Sequence, residues 1–271
     1  MTLAQGDFTT LAESYSRYRE GYSPAVRDAI LGLCARPVCS LDVADVGAGT
    51  GIWSRMLAAR LPASLTAVEP NDAMREQGIE DSYGLRITWR AGSGERTGLD
   101  DASADLLTMA SSFHWVEFDA GLREFRRVLR PGGWFAALWN PRDVEANPLL
   151  AEIEGEIRRL KPDLRRVSSG RSGVTATLTA RLAAEPGYGP PLYLEGRHVV
   201  RQTVEHYLGV WRSANDVQAQ LGPEAFAKFL DHAREALAGH DVVETTYLTR
   251  AWAVRRLPYN SFQNDRRVCW P

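Results

Sequence analysis

Along the middle of the chain, short apolar runs alternate with segments of helical periodicity. The run from Leu41 to Val46 predicts a buried strand, and Ile52 to Arg60 reads as an amphipathic helix. Ser64 to Glu69 predicts a second strand, and Pro70-Asn71-Asp72-Ala73-Met74 opens the next helix. Leu85 to Ala91 alternates and gives a third strand; Ala104 to Ala110 gives a fourth. Phe118 to Arg130 is a helix with Leu122, Phe125, Val128 and Leu129 on one side. Pro131-Gly132-Gly133 breaks it, and Trp134 to Asn140 is the fifth strand. Strands and helices in strict alternation predict an α/β fold.

The flanks are less regular. Phe8 to Glu20 reads as a helix, with Tyr15, Tyr18, Arg19 and Tyr22 on one face. Such a stripe is either a packing face or a lid over a ligand. Ser23-Pro24 caps a second helix running to about Cys34. Beyond Asn140, helices are predicted over Pro148–Leu160, from Thr203 to Ser213, and from about Pro223 to Leu237. Strands are predicted over Leu192–Val200 and Asp241–Leu257. Residues 161–191 read as a long loop, functional or mobile, and 258–271 as a tail, disordered or in an oligomer contact. This divides the chain into a helical lid (1–35), an α/β core (36–145), a cap with a late core strand (146–240), a final strand (241–257) and the tail.

Charge and cysteine content narrow the partners. A formal net charge of −2 gives no global attraction to nucleic acid or an anionic membrane. Three cysteines without paired spacing argue against a disulfide framework or a zinc site and predict a reducing cytoplasm. The first residues lack a signal-peptide pattern, and no apolar run is long enough to span a membrane. Arg158, Arg159, Arg165, Arg166 and Arg171 form either a solvated face or a site for an acidic substrate.

The chemistry concentrates at Val43-Ala44-Asp45-Val46-Gly47-Ala48-Gly49-Thr50-Gly51. A strand, a glycine turn and a helix begin a nucleotide-type site, because glycine lets a ligand approach the main chain. The dinucleotide pattern is incomplete: Ile52 stands where its third glycine belongs. Asp45 would repel a pyrophosphate and favour a cation. Glu69, 18 positions beyond Gly51, has the spacing of a carboxylate that accepts ribose hydroxyls.

These motifs resemble the class I S-adenosylmethionine-dependent methyltransferases, small-molecule type (the trans-aconitate and UbiE-like group). Val43–Gly51 resembles that group's first motif. Glu69-Pro70 with Met74 keeps its Glu-Pro-x-x-x-Met pattern, and Leu129-Arg130-Pro131-Gly132-Gly133 resembles its connection into the fifth strand. Tyr15 to Pro24 looks like the Tyr-x-x-Tyr-Arg-x-x-Tyr entry of the trans-aconitate type, with Glu20 where proline is common. Ser93 and Gly94 replace an acidic residue and alanine, the clearest departure in the cofactor half.

The resemblance implies a doubly wound, mostly parallel, seven-stranded Rossmann-like sheet with an antiparallel last strand. It implies S-adenosyl-L-methionine as methyl donor and S-adenosyl-L-homocysteine as product. Asp45 is expected at the ammonium, Gly47, Gly49 and Gly51 along the methionine and ribose, and Glu69 on the ribose. Pro70, Met74, Ser93, Gly94, Glu95 and Ala110 are expected around the cofactor, with Arg19 or Tyr15 on its carboxylate. Tyr18, Tyr22, Trp115, Trp139 and Trp211 are candidates to line an acceptor pocket. His114 is either a general base or an orienting residue. The Asn/Asp-Pro-Pro-Tyr signature of base methylation is missing after the fourth strand, where Ser111-Ser112-Phe113-His114-Trp115 stands. The expected partner is a small-molecule acceptor, not nucleic acid or membrane, for a monomer or homo-oligomer, and the expected setting is secondary metabolism. Within this class an arginine-lined pocket would favour a carboxylate O-methyltransferase. Rivals are a non-catalytic S-adenosylmethionine-binding protein and a nicotinamide-cofactor enzyme.

Overall fold

The computed structural model describes residues 8–165 and 174–258. Seven strands form one sheet: β1 (Asp42–Val46), β2 (Ser64–Val68), β3 (Thr88–Arg90), β4 (Ala104–Ala110), β5 (Leu129–Trp139), β6 (Leu192–Thr203) and β7 (Val242–Arg255). Their order is β3-β2-β1-β4-β5-β7-β6. β1 to β5 pair in parallel, and β7 runs antiparallel to both of its neighbours. This is the sheet the resemblance implies, with the last strand antiparallel.

The helices are α1 (Ala12–Tyr18), α2 (Pro24–Gly32), α3 (Ile52–Ala58), α4 (Asp72–Asp81), α5 (Phe118–Val128), α6 (Pro148–Leu160), α7 (Val174–Ala184), α8 (Val204–Arg212) and α9 (Asn215–Ala236). The parallel strands are buried on both faces, so neighbouring residues serve opposite layers. Val43 and Leu65 pack with Val26 and Ile30 of α2 and Trp53 and Leu57 of α3. Ala44, Val46 and Val68 pack with Leu122 and Phe125 of α5 and Leu178 and Leu182 of α7. A third core joins α6, α8 and α9 through Ile153, Ile157, Tyr207, Trp211, Val217 and Phe229. This third core is the cap.

Several boundaries differ from expectation. The predicted loop over 161–191 contains α7, which covers the sheet; Trp252 of β7 donates to Thr179 on it. Its threonine- and alanine-rich sequence has little amphipathic signal, so burial against β7 supplies what periodicity does not show. Pro131-Gly132-Gly133 does not separate α5 from β5 but forms an irregularity within the strand: Ala104 pairs with Leu129, then Leu106 with Trp134. Gly132 holds φ +86° there, which favours glycine. A helical segment from Asn215 precedes the predicted start at Pro223, and the two are joined at a non-helical Gly222. α2, assigned to the lid, belongs to the core layer. Arg166, Arg171 and the tail from 259 lie outside the described residues, whereas Arg158 and Arg159 are exposed at the end of α6. Among the described residues no helix is long and apolar enough to cross a membrane.

Candidate functional site

β1 ends at Val46, and the chain turns through Gly47, Gly49 and Gly51, all with positive φ. The N–H groups of Gly47 and Ala48 donate to the Val68 carbonyl at 2.8 and 3.1 Å, fixing the loop against β2. The Glu69 carboxylate bridges this loop: Oε2 accepts from the Gly49 N–H at 2.8 Å and Oε1 from the Asn71 N–H at 2.9 Å. Burial raises its pKa, against the lowering effect of those bonds. Asn71 in turn caps α4 by accepting from the Met74 N–H.

A cavity of about 400 Å³ opens above these carboxyl ends of the strands. This is where open α/β sheets bind ligands. Gly47, Gly49, Glu69, Pro70, Met74, Ser93, Gly94, Glu95, Ala110, Tyr15, Arg19, Tyr22 and Trp115 all line it. One continuous wall thus gathers residues scattered over a hundred positions of sequence.

The remaining expected site residues lie off that wall. Asp45 is fully buried; Ser54 donates to it at 2.5 Å and Thr108 at 3.1 Å, so it locks α3 and β4 to β1. Its pKa is raised to about 7, chiefly by burial. Gly51 faces Trp89: an added Cβ would come within 2.8 Å of the indole. Trp139 and Trp211 are core residues, the first in the sheet layer and the second in the cap. Tyr18 fits against Gly209 of α8 instead of facing the cavity. The supposed stripe breaks because α1 ends at Tyr18 and Arg19 is extended (ψ 133°). That extension lets Arg19 and Tyr22 face the cavity while Tyr18 does not.

His114 sits in a single turn before α5, also off the cavity wall. Trp139 Nε1 approaches its Nδ1 at 3.3 Å. An indole N–H only donates, so Nδ1 accepts and the neutral ring carries its hydrogen on Nε2. Burial lowers the His114 pKa to about 4. A ring in this tautomer presents a donor rather than a base, which favours the orienting role.

Two features explain the departure at 93–94. An added Cβ on Gly94 would lie 2.4 Å from Val116, so a side chain does not fit there. Glu95 accepts from the Glu117 N–H at 2.8 Å, and that carboxylate is therefore occupied at the start of α5.

Sequence reading missed the far wall. Glu20, Asn140, Arg142, Glu154, Val210, Asn215 and Tyr247 line the same cavity. Arg142 Nε pairs with Glu154 at 2.9 Å, and its guanidinium lies 3.9 Å over the Trp211 ring. Asn140 donates to the Gly21 carbonyl and accepts from Thr249, tying the end of β5 to the lid and β7. Arg142 follows a strand and Glu154 sits mid-helix, positions that carry no motif. Among the described residues no cluster of His, Cys, Asp and Glu is arranged to hold a metal.

Comparison with known proteins agrees with this geometry. A methyltransferase-domain family model matches residues 44–137. An uncharacterized methyltransferase of Mycobacterium tuberculosis is 34% identical over 139 residues, half of this chain and 53% of that protein. A ubiquinone/menaquinone biosynthesis C-methyltransferase of Rubrivivax gelatinosus is 34% identical over 105 residues, 38% of this chain and 41% of that protein. The match thus spans about half the length of the first of these relatives. A solved structure of a candidate type II methyltransferase from Anaeromyxobacter dehalogenans aligns over 89% of this chain and all of its own, at TM-score 0.61 and 25% identity. The seven-strand order, the glycine turn and the domain match agree, and over residues 44–137 the chain is similar to methyltransferase domains.

Proposed function

We propose that this protein transfers a methyl group from S-adenosylmethionine to a small, polar molecule bound under the cap. The observation that carries the reading is the Glu69–Gly49 bridge at the floor of a cavity whose far wall joins the cap to Glu20, Asn140, Arg142 and Tyr247. Gly47 and Gly49 would admit the methionine and ribose portions to the main chain. Glu69 would accept the ribose hydroxyls, Met74 and Pro70 would flank the adenine, and Arg19 with Tyr15 would meet the carboxylate. The cofactor supplies a methyl group already activated by a sulfonium charge. The residues of this chain therefore mainly align the acceptor and exclude water.

The acceptor end mixes polar and aromatic groups: Glu20, Asn140 and Arg142 line it with Tyr22, Trp115 and Tyr247, while Trp139 and Trp211 pack elsewhere. Arg142 on the wall supports a second reading, a carboxylate acceptor, although Glu154 already meets its charge. A cytoplasmic role in secondary metabolism is the setting we favour, by analogy with capped small-molecule enzymes.

Calorimetric titration with S-adenosylhomocysteine tests the donor half. Binding by the wild type and its loss in Gly49→Val are expected, with the variant still folded by circular dichroism. Retained binding in that variant would place the donor site elsewhere. Mass spectrometry of acceptor panels for a gain of about 14 Da, a methyl replacing hydrogen, tests the transfer itself.

A further inference from the structure

We infer that Glu20 takes the acceptor's proton and that His206 carries it from the closed cavity to solvent. The inference rests on the methyl-transfer reading and narrows its acceptor. Glu20 lies on the cavity wall in the extended stretch after α1, with a side chain only 18% exposed. Its Oε1 stands 3.0 Å from Nε2 of His206 on α8. That nitrogen is buried, yet a third of the imidazole side chain is exposed. The pair therefore reaches from the cavity wall to the molecular surface.

Neighbouring groups hold it there. The ring of Tyr18 packs edge-on to His206 at 5.4 Å, and Tyr18 fits only because residue 209 is glycine. The stripe residue absent from the pocket thus positions the imidazole. Tyr247 supplies an independent sign of a polar ligand. Its side chain is on the cavity wall and 5% exposed, its hydroxyl has no hydrogen-bond partner, and burial, with Glu20 nearby, keeps it neutral. A buried hydroxyl left unpaired costs about 1–3 kcal/mol, so a polar atom of a ligand is expected beside it. The other charged groups on this wall are Arg19, Arg142 and Glu154. Burial lifts the Glu20 pKa above its ordinary 4.5, against the lowering effect of His206.

The balance is simple. A lone pair on the acceptor's oxygen or nitrogen forms a bond to the methyl carbon as the methyl–sulfur bond breaks, its electron pair staying on sulfur. The acceptor's proton moves to the Glu20 carboxylate, then to His206, then to water. A carboxylic acid loses its proton before binding and needs no such route. The pair therefore selects an acceptor that still carries its proton: a phenol, an alcohol or an amine.

The test compares wild type, Glu20→Gln, Glu20→Asp and His206→Gln. Probes are catechol, phenol, benzylamine and tricarballylate. Formation of S-adenosylhomocysteine gives turnover, calorimetry gives S-adenosylhomocysteine affinity, and an indicator dye in stopped flow gives proton release. Turnover of a proton-bearing probe is expected, with kcat falling at least about 100-fold in Glu20→Gln and partly restored in Glu20→Asp. S-adenosylhomocysteine affinity should stay within about twofold, since Glu20 serves the acceptor. In His206→Gln the proton should reach solvent later than the product forms. The inference is overturned if Glu20→Gln keeps its kcat, if only tricarballylate is methylated, if no proton-bearing probe turns over, or if proton release in His206→Gln keeps step. Failure of the wild type to bind S-adenosylhomocysteine would instead sink the methyl-transfer reading.

Discussion

The two walls of the cavity are built on different principles. The donor wall comes from consecutive β/α connections, each side chain placed by its own strand end. Gly47, Glu69 and Ser93 follow β1, β2 and β3, and Ala110 ends β4. The far wall is assembled from distant segments: Glu20 after α1, Arg142 after β5, Glu154 on α6, Asn215 at the start of α9 and Tyr247 on β7. A local wall fixes one ligand through backbone geometry. A composite wall changes its chemistry by single substitutions without disturbing the sheet. On the proposed reading, the first wall would hold the donor and the second would choose the acceptor.

That separation predicts independent responses. Trp211→Ala removes a fully buried indole from the cap core and should cost about 3–5 kcal/mol of stability by chemical denaturation. S-adenosylhomocysteine affinity should stay within about threefold. A proportional loss of affinity would show that the cap holds the glycine loop in place, and the contrast between walls would fail. Glu69→Ala should act the other way. It leaves the Gly49 and Asn71 N–H groups without their acceptor. S-adenosylhomocysteine should bind about 100-fold more weakly, about 2.7 kcal/mol by calorimetry, while the cap stays intact by tryptophan fluorescence.

Asp45 sharpens the picture through pH. Its folded pKa is about 7 against an ordinary 3.8. The stability it contributes is complete below about pH 4 and is lost as pH rises through about 7, with a slope of at most about 1.4 kcal/mol per unit. His114 has the opposite sign. Its depressed pKa contributes stability above its ordinary 6.5 that is lost as pH falls toward about 4. The two partly cancel in the wild type. The difference in melting temperature between wild type and Asp45→Asn isolates the first: the variant should gain relative stability between about pH 4 and pH 7 and hold that gain above it. A pH-independent difference would mean that Asp45 is ionised throughout. The smallest effect is expected at Trp115, 46% exposed on the cavity rim and 6.5 Å from Phe8. Trp115→Ala should change stability by less than about 0.5 kcal/mol. Faster dissociation of S-adenosylhomocysteine by stopped flow would mark Trp115 as a rim contact that retains the ligand.

Legibility followed the same division. Gly47, Gly49 and Glu69 were readable because local backbone needs dictate them: positive φ at the turn and a carboxylate at a strand end. Pro148–Leu160 was readable to the residue because Asn147 caps it, Pro148 begins it and its apolar residues recur on one face. Tyr18, Trp139 and Trp211 were misplaced because an aromatic in a sequence does not say which surface it meets. Packing decides that, and here Gly209, the sheet layer and the cap core claimed them. The segment α7 was missed because its helical state depends on burial against β7 rather than on its own periodicity.

By itself, then, the amino-acid order determined the strand succession, the glycine turn and the donor-side carboxylate, since each follows from neighbours close in sequence. Only the tertiary structure decided the acceptor side. It brought Glu20 within 3.0 Å of His206, 186 positions away, and set Tyr247 beside both Arg142 and the cavity. Such contacts depend on how helices and strands pack across the whole chain, and no local pattern records them.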